Sequence, residues 1–96
     1  LKLAAEIAVS HHENWDGSGY PNGLAGEAIP IAGRITMLAD VFDALGSHRC
    51  YKDAWSPERI REFIVEQRGG KFDPKLVDLL LAKWSEAEQI RANIPD

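Results

Sequence analysis

The sequence predicts an all-α protein, a helical bundle of four to five helices, and three observations support that class. Apolar residues recur at helical spacing in several segments. Two further segments begin with a capping residue followed by proline, which is typical of a helix start. No segment predicts a strand. The length of 96 residues favours a single domain, and the 45% of apolar residues is enough for one core.

The first two predicted helices flank a long loop. Helix one covers about residues 1–14, with Leu3 and Ile7 on one stripe. The following loop is rich in glycine and proline and contains the turn dipeptides D-G, S-G and N-G. Helix two covers about residues 31–45. Its apolar stripe consists of Ile31, Ile35, Leu38, Phe42 and Leu45.

Two helix starts follow further along the chain. Ser56 is a suitable N-cap with Pro57 at the first helical position, and helix three is predicted to end at about Arg68, before two glycines. Asp73 and Pro74 repeat this pattern. They predict helix four, over about residues 75–84.

A fifth, shorter helix is predicted at the C-terminal end. Ser85 and Glu88 have the spacing of a capping box, in which each side chain bonds the other residue's backbone amide.

At the other end, the chain begins with Leu1, inside a segment that already predicts helix without an N-cap. We therefore expect the chain to be an internal or C-terminal part of a longer protein.

Composition limits the location and the partners. Eleven basic and 15 acidic residues give a net charge of −4, which argues against binding DNA or RNA polymers through a basic face. Cys50 is the only cysteine, so no disulfide can form within the chain, and we expect a reducing, cytoplasmic location. No apolar run approaches the roughly 20 residues of a membrane-spanning helix, and no signal-peptide pattern is present.

Helix two carries an aspartate on its second face. Opposite the apolar stripe lie small or apolar residues, among them Gly33, Met37 and Ala44, with Asp40 at the centre. A helix that is apolar or small nearly all round is usually buried, which predicts a buried Asp40. A buried carboxylate needs a cation or several donors. A metal ion is one such partner, and an arginine or a neighbouring helix end is the alternative.

Two adjacent histidines near the end of helix one form the second candidate site. Neutral imidazole is a common nitrogen ligand of zinc, iron, manganese and nickel. Because neighbouring helical residues lie about 100° apart, His11 and His12 would reach different ions of a metal cluster. The alternative is that both are favourable cations at a helix C-terminus. Glu13 is predicted to be a solvated side chain.

The string HHENWDGSGYPNGLAGEAIPIAGRITMLADVFDALGSHRCYK closely resembles the C-terminal half of the HD-GYP domain, a branch of the HD superfamily of metal-dependent phosphohydrolases. The string GGKFDPKLVDLLL extends the resemblance to about Leu81. Residues 1–96 are thus expected to form the C-terminal part of such a domain. The resemblance implies that His11, His12 and Asp40 are metal ligands. It places Asp43 beside the metal site rather than among its ligands.

The same resemblance implies a signature loop and a substrate-binding string. Gly19, Tyr20 and Pro21 form the G-Y-P signature, in a loop that borders the active-site cleft. Arg49 and Lys52 contact the phosphates and bases of the substrate. Arginine offers a planar fork for phosphate or a guanine edge, and lysine a point charge. Without the resemblance, both could equally be solvated cations on a loop.

The implied activity is hydrolysis of cyclic di-GMP, a bacterial second messenger, to pGpG or GMP. Two or three divalent metal ions, with iron or manganese first and zinc or nickel as alternatives, would activate a hydroxide and neutralise phosphate charge. Asn14, Gly46 and Cys50 depart from the usual family residues and bear on substrate affinity more than on metal binding. The upstream His-Asp pair that names the superfamily is absent, so we expect this segment alone to be inactive.

Two other functions stay open at this point. One is a non-catalytic signalling module that presents Trp15 and Tyr20 to partner signalling proteins. The other is a different phosphohydrolase on the same helical scaffold.

If helices one and two pack on a missing half of the domain, their apolar faces are uncovered in the isolated chain. We then expect the chain to form a homodimer through these helices or to be partly molten.

Overall fold

A computed structural model of the chain describes residues 1–47 and 53–93, and these form an all-α bundle as predicted. A single 3₁₀ turn, Gly26–Ala28, interrupts the long loop between the first two helices. None of the described helices is long and apolar enough to span a membrane. The five helices are α1 (Lys2–Ser10), α2 (Ile31–Gly46), α3 (Pro57–Glu66), α4 (Pro74–Ala82) and α5 (Trp84–Ala92).

The core lies between α2, α3 and α4. Phe72, in the turn between α3 and α4, is 2% exposed and closes the core from that side. On the other side Trp84 of α5 packs edge-on against Phe42, with 5.3 Å between the ring centroids. The buried cluster consists of Met37, Leu38, Phe42, Ile60, Ile64, Phe72 and Val77.

The apolar stripe of α2 is buried only along its C-terminal half. Leu38 and Phe42 belong to the core, but Ile31 and Ile35 are each 49% exposed, so the prediction of a helix buried nearly all round is wrong at these two positions. Ile35 and Leu38 line a groove of about 460 Å³ between α2, α4 and α5. The apolar side chains of the short helices α4 and α5 pack on the second half of this stripe and leave Ile31 and Ile35 largely exposed.

Both predicted serine–proline and aspartate–proline helix starts are confirmed. The Ser56 hydroxyl accepts a hydrogen bond from the Arg59 amide, and Asp73 accepts one from the Lys75 amide. The predicted capping box of helix five is wrong. Helix α5 begins at Trp84, so Ser85 already lies inside it.

Glycine allows α1 and α2 to cross closely. A Cβ atom at Gly33 would lie 2.2 Å from the hydroxyl oxygen of Ser10 and 2.8 Å from its Cβ, so no larger residue fits at this crossing. Ser10 is buried, and its hydroxyl donates to the Glu6 carbonyl. The contact fixes the C-terminal end of α1 on the face of α2 that carries Gly33.

Helix α1 ends four residues earlier than predicted, at Ser10 rather than Asn14. The backbone then leaves the helix and pairs with the turn between α3 and α4. The Trp15 amide donates to the Lys71 carbonyl at 3.1 Å, and the Asp16 amide donates to the Gly70 carbonyl at 2.9 Å. These long-range bonds replace the last turn of the predicted helix.

Candidate metal centre

The two histidines lie directly after α1 with their rings in contact. Their ring centroids are 3.9 Å apart and the ring planes are tilted by 40°. The His11 Nδ1 atom lies 2.8 Å from the Ile7 carbonyl oxygen. Because a carbonyl oxygen only accepts hydrogen bonds, Nδ1 is the donor, and in the neutral ring Nε2 is then the nitrogen that keeps its lone pair. A backbone carbonyl orients metal-binding histidines in this way, so the donor chemistry of His11 fits a metal ion.

The aromatic ring of the signature loop lies against the second histidine. The Tyr20 and His12 ring centroids are 4.9 Å apart, and the ring planes are nearly parallel at 16°. The Tyr20 amide also donates to the His12 carbonyl at 3.2 Å. The structure therefore brings together two predicted parts of the site, the histidine pair and the G-Y-P loop.

Glycine lets the loop lie directly on the backbone of the histidine pair. A Cβ atom at Gly19 would lie 2.4 Å from the His12 carbonyl oxygen and 2.5 Å from the Asn14 nitrogen. Both are backbone atoms that have little room to move. A side chain at Gly19 would therefore push the loop, including Tyr20, away from His12.

Glu13 is buried, and its prediction as a solvated side chain is wrong. It is only 2% exposed, and its two carboxylate oxygens accept hydrogen bonds from the amides of Asn22 and Leu24. The loop folds back over the end of α1, and its amides need acceptors once they leave water. The sequence offered one weak signal, an acidic residue at the start of a long glycine-rich loop.

Asp40 is exposed in the described structure, and the prediction of a buried carboxylate is wrong for this chain. It lies on the same face of α2 as Gly33, two turns further along and thus about 10 Å away along the helix axis. Helix α1 covers this face at Gly33 through Ser10. It does not cover the face at Asp40. The carboxylate is therefore exposed on this face of α2.

Within residues 1–47 and 53–93, no three His, Cys, Asp or Glu side chains converge to hold a metal ion. The assignment of His11, His12 and Asp40 as metal ligands therefore stays a prediction. Arg49 and Lys52 lie outside the described residues. Asp43 lines the groove between α2, α4 and α5, and its Oδ1 lies 3.4 Å from the Ser47 hydroxyl.

A local turn at Asp16 shapes the start of the signature loop. The Ser18 hydroxyl and, at 2.9 Å, the Ser18 amide donate to Asp16 Oδ1. These two bonds, the hydroxyl first, lower the pKa of the Asp16 carboxyl below its usual value of 3.8. The turn is therefore fully stabilised above the usual pKa, and this stabilisation is lost as the pH falls through the lowered value.

We expect Ser18→Ala to raise the pKa of Asp16 towards 3.8, because the largest cause of its depression is removed. A carboxyl carbon titration by NMR measures the change. Ser85→Ala, at an exposed serine of α5, is the control and leaves the Asp16 pKa as it is. An Asp16 pKa that does not move in Ser18→Ala would contradict the role of the hydroxyl.

Comparison with known proteins identifies the family. A family model described as an HD domain matches residues 1–76. The chain belongs to the HD domain family. Phosphohydrolases with HD domains are metal-dependent, and the predicted resemblance to the HD-GYP branch is confirmed by the relatives of the chain.

Several curated bacterial proteins contain an HD domain segment similar to this one. The chain is 60% identical over its whole length to a 3′3′-cGAMP-specific phosphodiesterase of Vibrio cholerae, of which it covers 18%. It is 52% identical over 90 residues, 94% of the chain, to the cyclic di-GMP phosphodiesterase response regulator RpfG of Xanthomonas campestris, of which it covers 24%. It is 50% identical over 96 residues to a cyclic di-GMP phosphodiesterase of Vibrio cholerae, of which it covers 20%.

A solved structure shares the arrangement of these helices. The crystal structure of a cyclic GMP-AMP-specific phosphodiesterase of Vibrio cholerae matches the whole chain with a TM-score of 0.74 and 29% identity, over 24% of that protein. The HD domain segment described here spans about a fifth of the length of the curated relatives it matches.

Proposed function

We propose that this chain forms part of the active site of a metal-dependent phosphodiesterase that hydrolyses cyclic di-GMP to pGpG or GMP in bacterial signalling. The observation that carries the proposal is the contacting histidine pair of an HD domain, in which His11 keeps its Nε2 lone pair available. Relatives named cyclic di-GMP phosphodiesterases support the substrate.

Each proposed site residue has a separate task. Ile7 holds the His11 ring in the tautomer that offers Nε2, and Tyr20 lies flat against His12. Asp40 would supply a carboxylate, which is exposed on α2 and available to a metal ion. Bound divalent ions, iron or manganese first and zinc or nickel as alternatives, would activate the attacking water and neutralise charge on the phosphate. The remaining ligands would come from the rest of the full-length protein.

Substrate binding is assigned to the segment after α2. Arg49 and Lys52 would hold the phosphates and bases of the cyclic dinucleotide, since guanidinium and ammonium groups make charge-assisted hydrogen bonds to phosphate. The chain has a net charge of −4, so these two local cations and the metal ions would have to supply the positive charge around the substrate.

A second substrate, 3′3′-cGAMP, is favoured by one observation. The relative with 60% identity is specific for this nucleotide by its name, whereas the two cyclic di-GMP phosphodiesterases share 52% and 50%. Both substrates are cyclic dinucleotides that present two phosphodiester groups. The site residues described above would serve either of them.

A non-catalytic signalling module is the alternative function. Tyr20 is 61% exposed and free to meet a partner on its outer side. Trp15 is half-buried, and the Arg34 guanidinium lies 5.9 Å from the centroid of its ring. The loop therefore exposes the Tyr20 side chain more than the Trp15 side chain, whereas the sequence suggested that it presents both.

The full-length protein tests the proposal directly. Metal-free protein reconstituted with Mn²⁺ or Fe²⁺ is expected to hydrolyse cyclic di-GMP or 3′3′-cGAMP, and a chelator is expected to abolish the activity. Chromatography of the products separates pGpG from GMP. The 96-residue chain alone is the matched control and is expected to show no turnover. Full-length protein that binds metal yet hydrolyses neither nucleotide would favour the signalling module instead.

A further inference from the structure

Glu13 is a buried carboxylate that the proposed chemistry does not use. Its Oε2 accepts a hydrogen bond from the Asn22 amide at 2.9 Å, and its Oε1 accepts one from the Leu24 amide at 3.0 Å. These amides lie nine and eleven residues further along the chain. Glu13 thus ties the far side of the signature loop to the residue that follows the histidine pair.

Tyr20 lies just before these two anchored amides. On its near side Gly19 packs on the backbone of His12 and Glu13, and the Tyr20 amide bonds the His12 carbonyl. On its far side Glu13 holds the amides of Asn22 and Leu24. With the backbone held on both sides, the Tyr20 ring stays parallel to the His12 ring.

The two histidines are oriented in different ways. His11 is held by the hydrogen bond from Nδ1 to the Ile7 carbonyl. Among the described residues, the His12 ring makes no hydrogen bond and is instead held by ring contacts with His11 and Tyr20. The orientation of His12 therefore depends on the position of the loop.

We propose that Glu13 is a positioning residue, which holds the Tyr20 ring against His12 and thereby sets the orientation of the His12 imidazole towards a metal ion. The metal part of this inference rests on the proposed function. The carboxylate is required because two N–H donors need two acceptor oxygens. A glutamine offers one oxygen and turns its NH₂ group, which is itself a donor, towards the second amide.

Metal affinity in the full-length protein tests the proposal. We expect Glu13→Gln to weaken Mn²⁺ binding to the metal-free protein by about tenfold, as for other residues that orient metal-binding histidines. Tyr20→Ala, at an exposed side chain, should give a similar loss without touching Glu13. The double variant should lose little more than either single variant, because both act through one contact. Electron paramagnetic resonance of free Mn²⁺ measures the affinities.

A matched control and a metal-free measurement complete the test. Glu27→Gln removes the same charge from an exposed position of the same loop and should bind Mn²⁺ as the unmodified protein does. In the metal-free protein, the His12 Cε1 proton should show a ring-current shift from Tyr20, seen by NMR with labelled histidine. The shift should disappear in both Glu13→Gln and Tyr20→Ala.

Two results would overturn the proposal. One is Mn²⁺ affinity unchanged in Tyr20→Ala. The other concerns Glu13→Gln: the Asn22 and Leu24 amides exchange faster with deuterium, but the Mn²⁺ affinity and the ring-current shift of His12 stay unchanged. Glu13 would then stabilise the loop without positioning His12. Full-length protein that binds no Mn²⁺ contradicts the proposed function, and the His12 shift then decides the positioning role by itself.

Discussion

We expect Asp40→Asn in the full-length protein to lower turnover of the cyclic dinucleotide by at least about 100-fold. Loss of a residue that only orients a ligand costs 10- to 100-fold, and loss of a ligand itself should cost no less. Asparagine has nearly the same shape but lacks the negative charge that holds a divalent ion. Because Asp40 is exposed in this chain, the substitution should not disturb the packing of α2.

Turnover and metal content should be measured on the same preparation. Asp78→Asn is the control, because it makes the identical change at an exposed aspartate of α4, on a different helix from the proposed ligands. It should keep turnover and metal content. Asp40→Asn protein that carries a full complement of metal and turns over normally would exclude Asp40 from the site.

The helices could be predicted because their signals are local. The Ser56 and Asp73 caps are determined by a few neighbouring residues, and the structure confirms both. The burial of each helix face was less predictable, because it depends on which other elements reach that face. The pattern of α2 indicated burial nearly all round, but α1, α3, α4 and α5 cover only part of its surface in this chain, and Ile31 and Asp40 remain exposed.

The sequence predicted which residues belong to the candidate site, but it did not predict how they are arranged in space. The motif strings named His11, His12 and Tyr20, and the structure brings these three together through ring contacts. The role of Glu13 was missed because its partners are backbone amides, which carry no residue-specific signal. A side chain that bonds the backbone nine and eleven residues away is visible only once the loop is folded.

The same limitation applies to Arg34 and Asp73, which lie 39 residues apart in sequence and form the main ionic contact between α2 and α4. The Arg34 guanidinium lies 2.7 Å from Asp73, and the two side chains are only 14% and 3% exposed. Arg34 also donates to the carbonyl of Ile29, at the end of the signature loop. One buried ion pair therefore joins the loop, α2 and the start of α4.

We expect Asp73→Ala to destabilise the 96-residue chain by about 3–5 kcal/mol, because it leaves the Arg34 guanidinium buried without its partner and also removes the cap of α4. Small domains have only about 5–15 kcal/mol of stability, so a large part of the total should be lost. Urea unfolding followed by circular dichroism measures the change.

The matched control is Asp78→Ala, five residues further along the chain in α4. Asp78 also pairs with an arginine, Arg68, through two hydrogen bonds of 2.8 Å, but these side chains are 56% and 47% exposed. Solvent screening weakens an exposed ion pair even when two hydrogen bonds join it, so the unfolding midpoint should shift much less than in Asp73→Ala. If both variants shift the midpoint equally, burial is not what makes the Arg34–Asp73 contact important. If neither does, the Arg34–Asp73 ion pair contributes little to the stability of the chain.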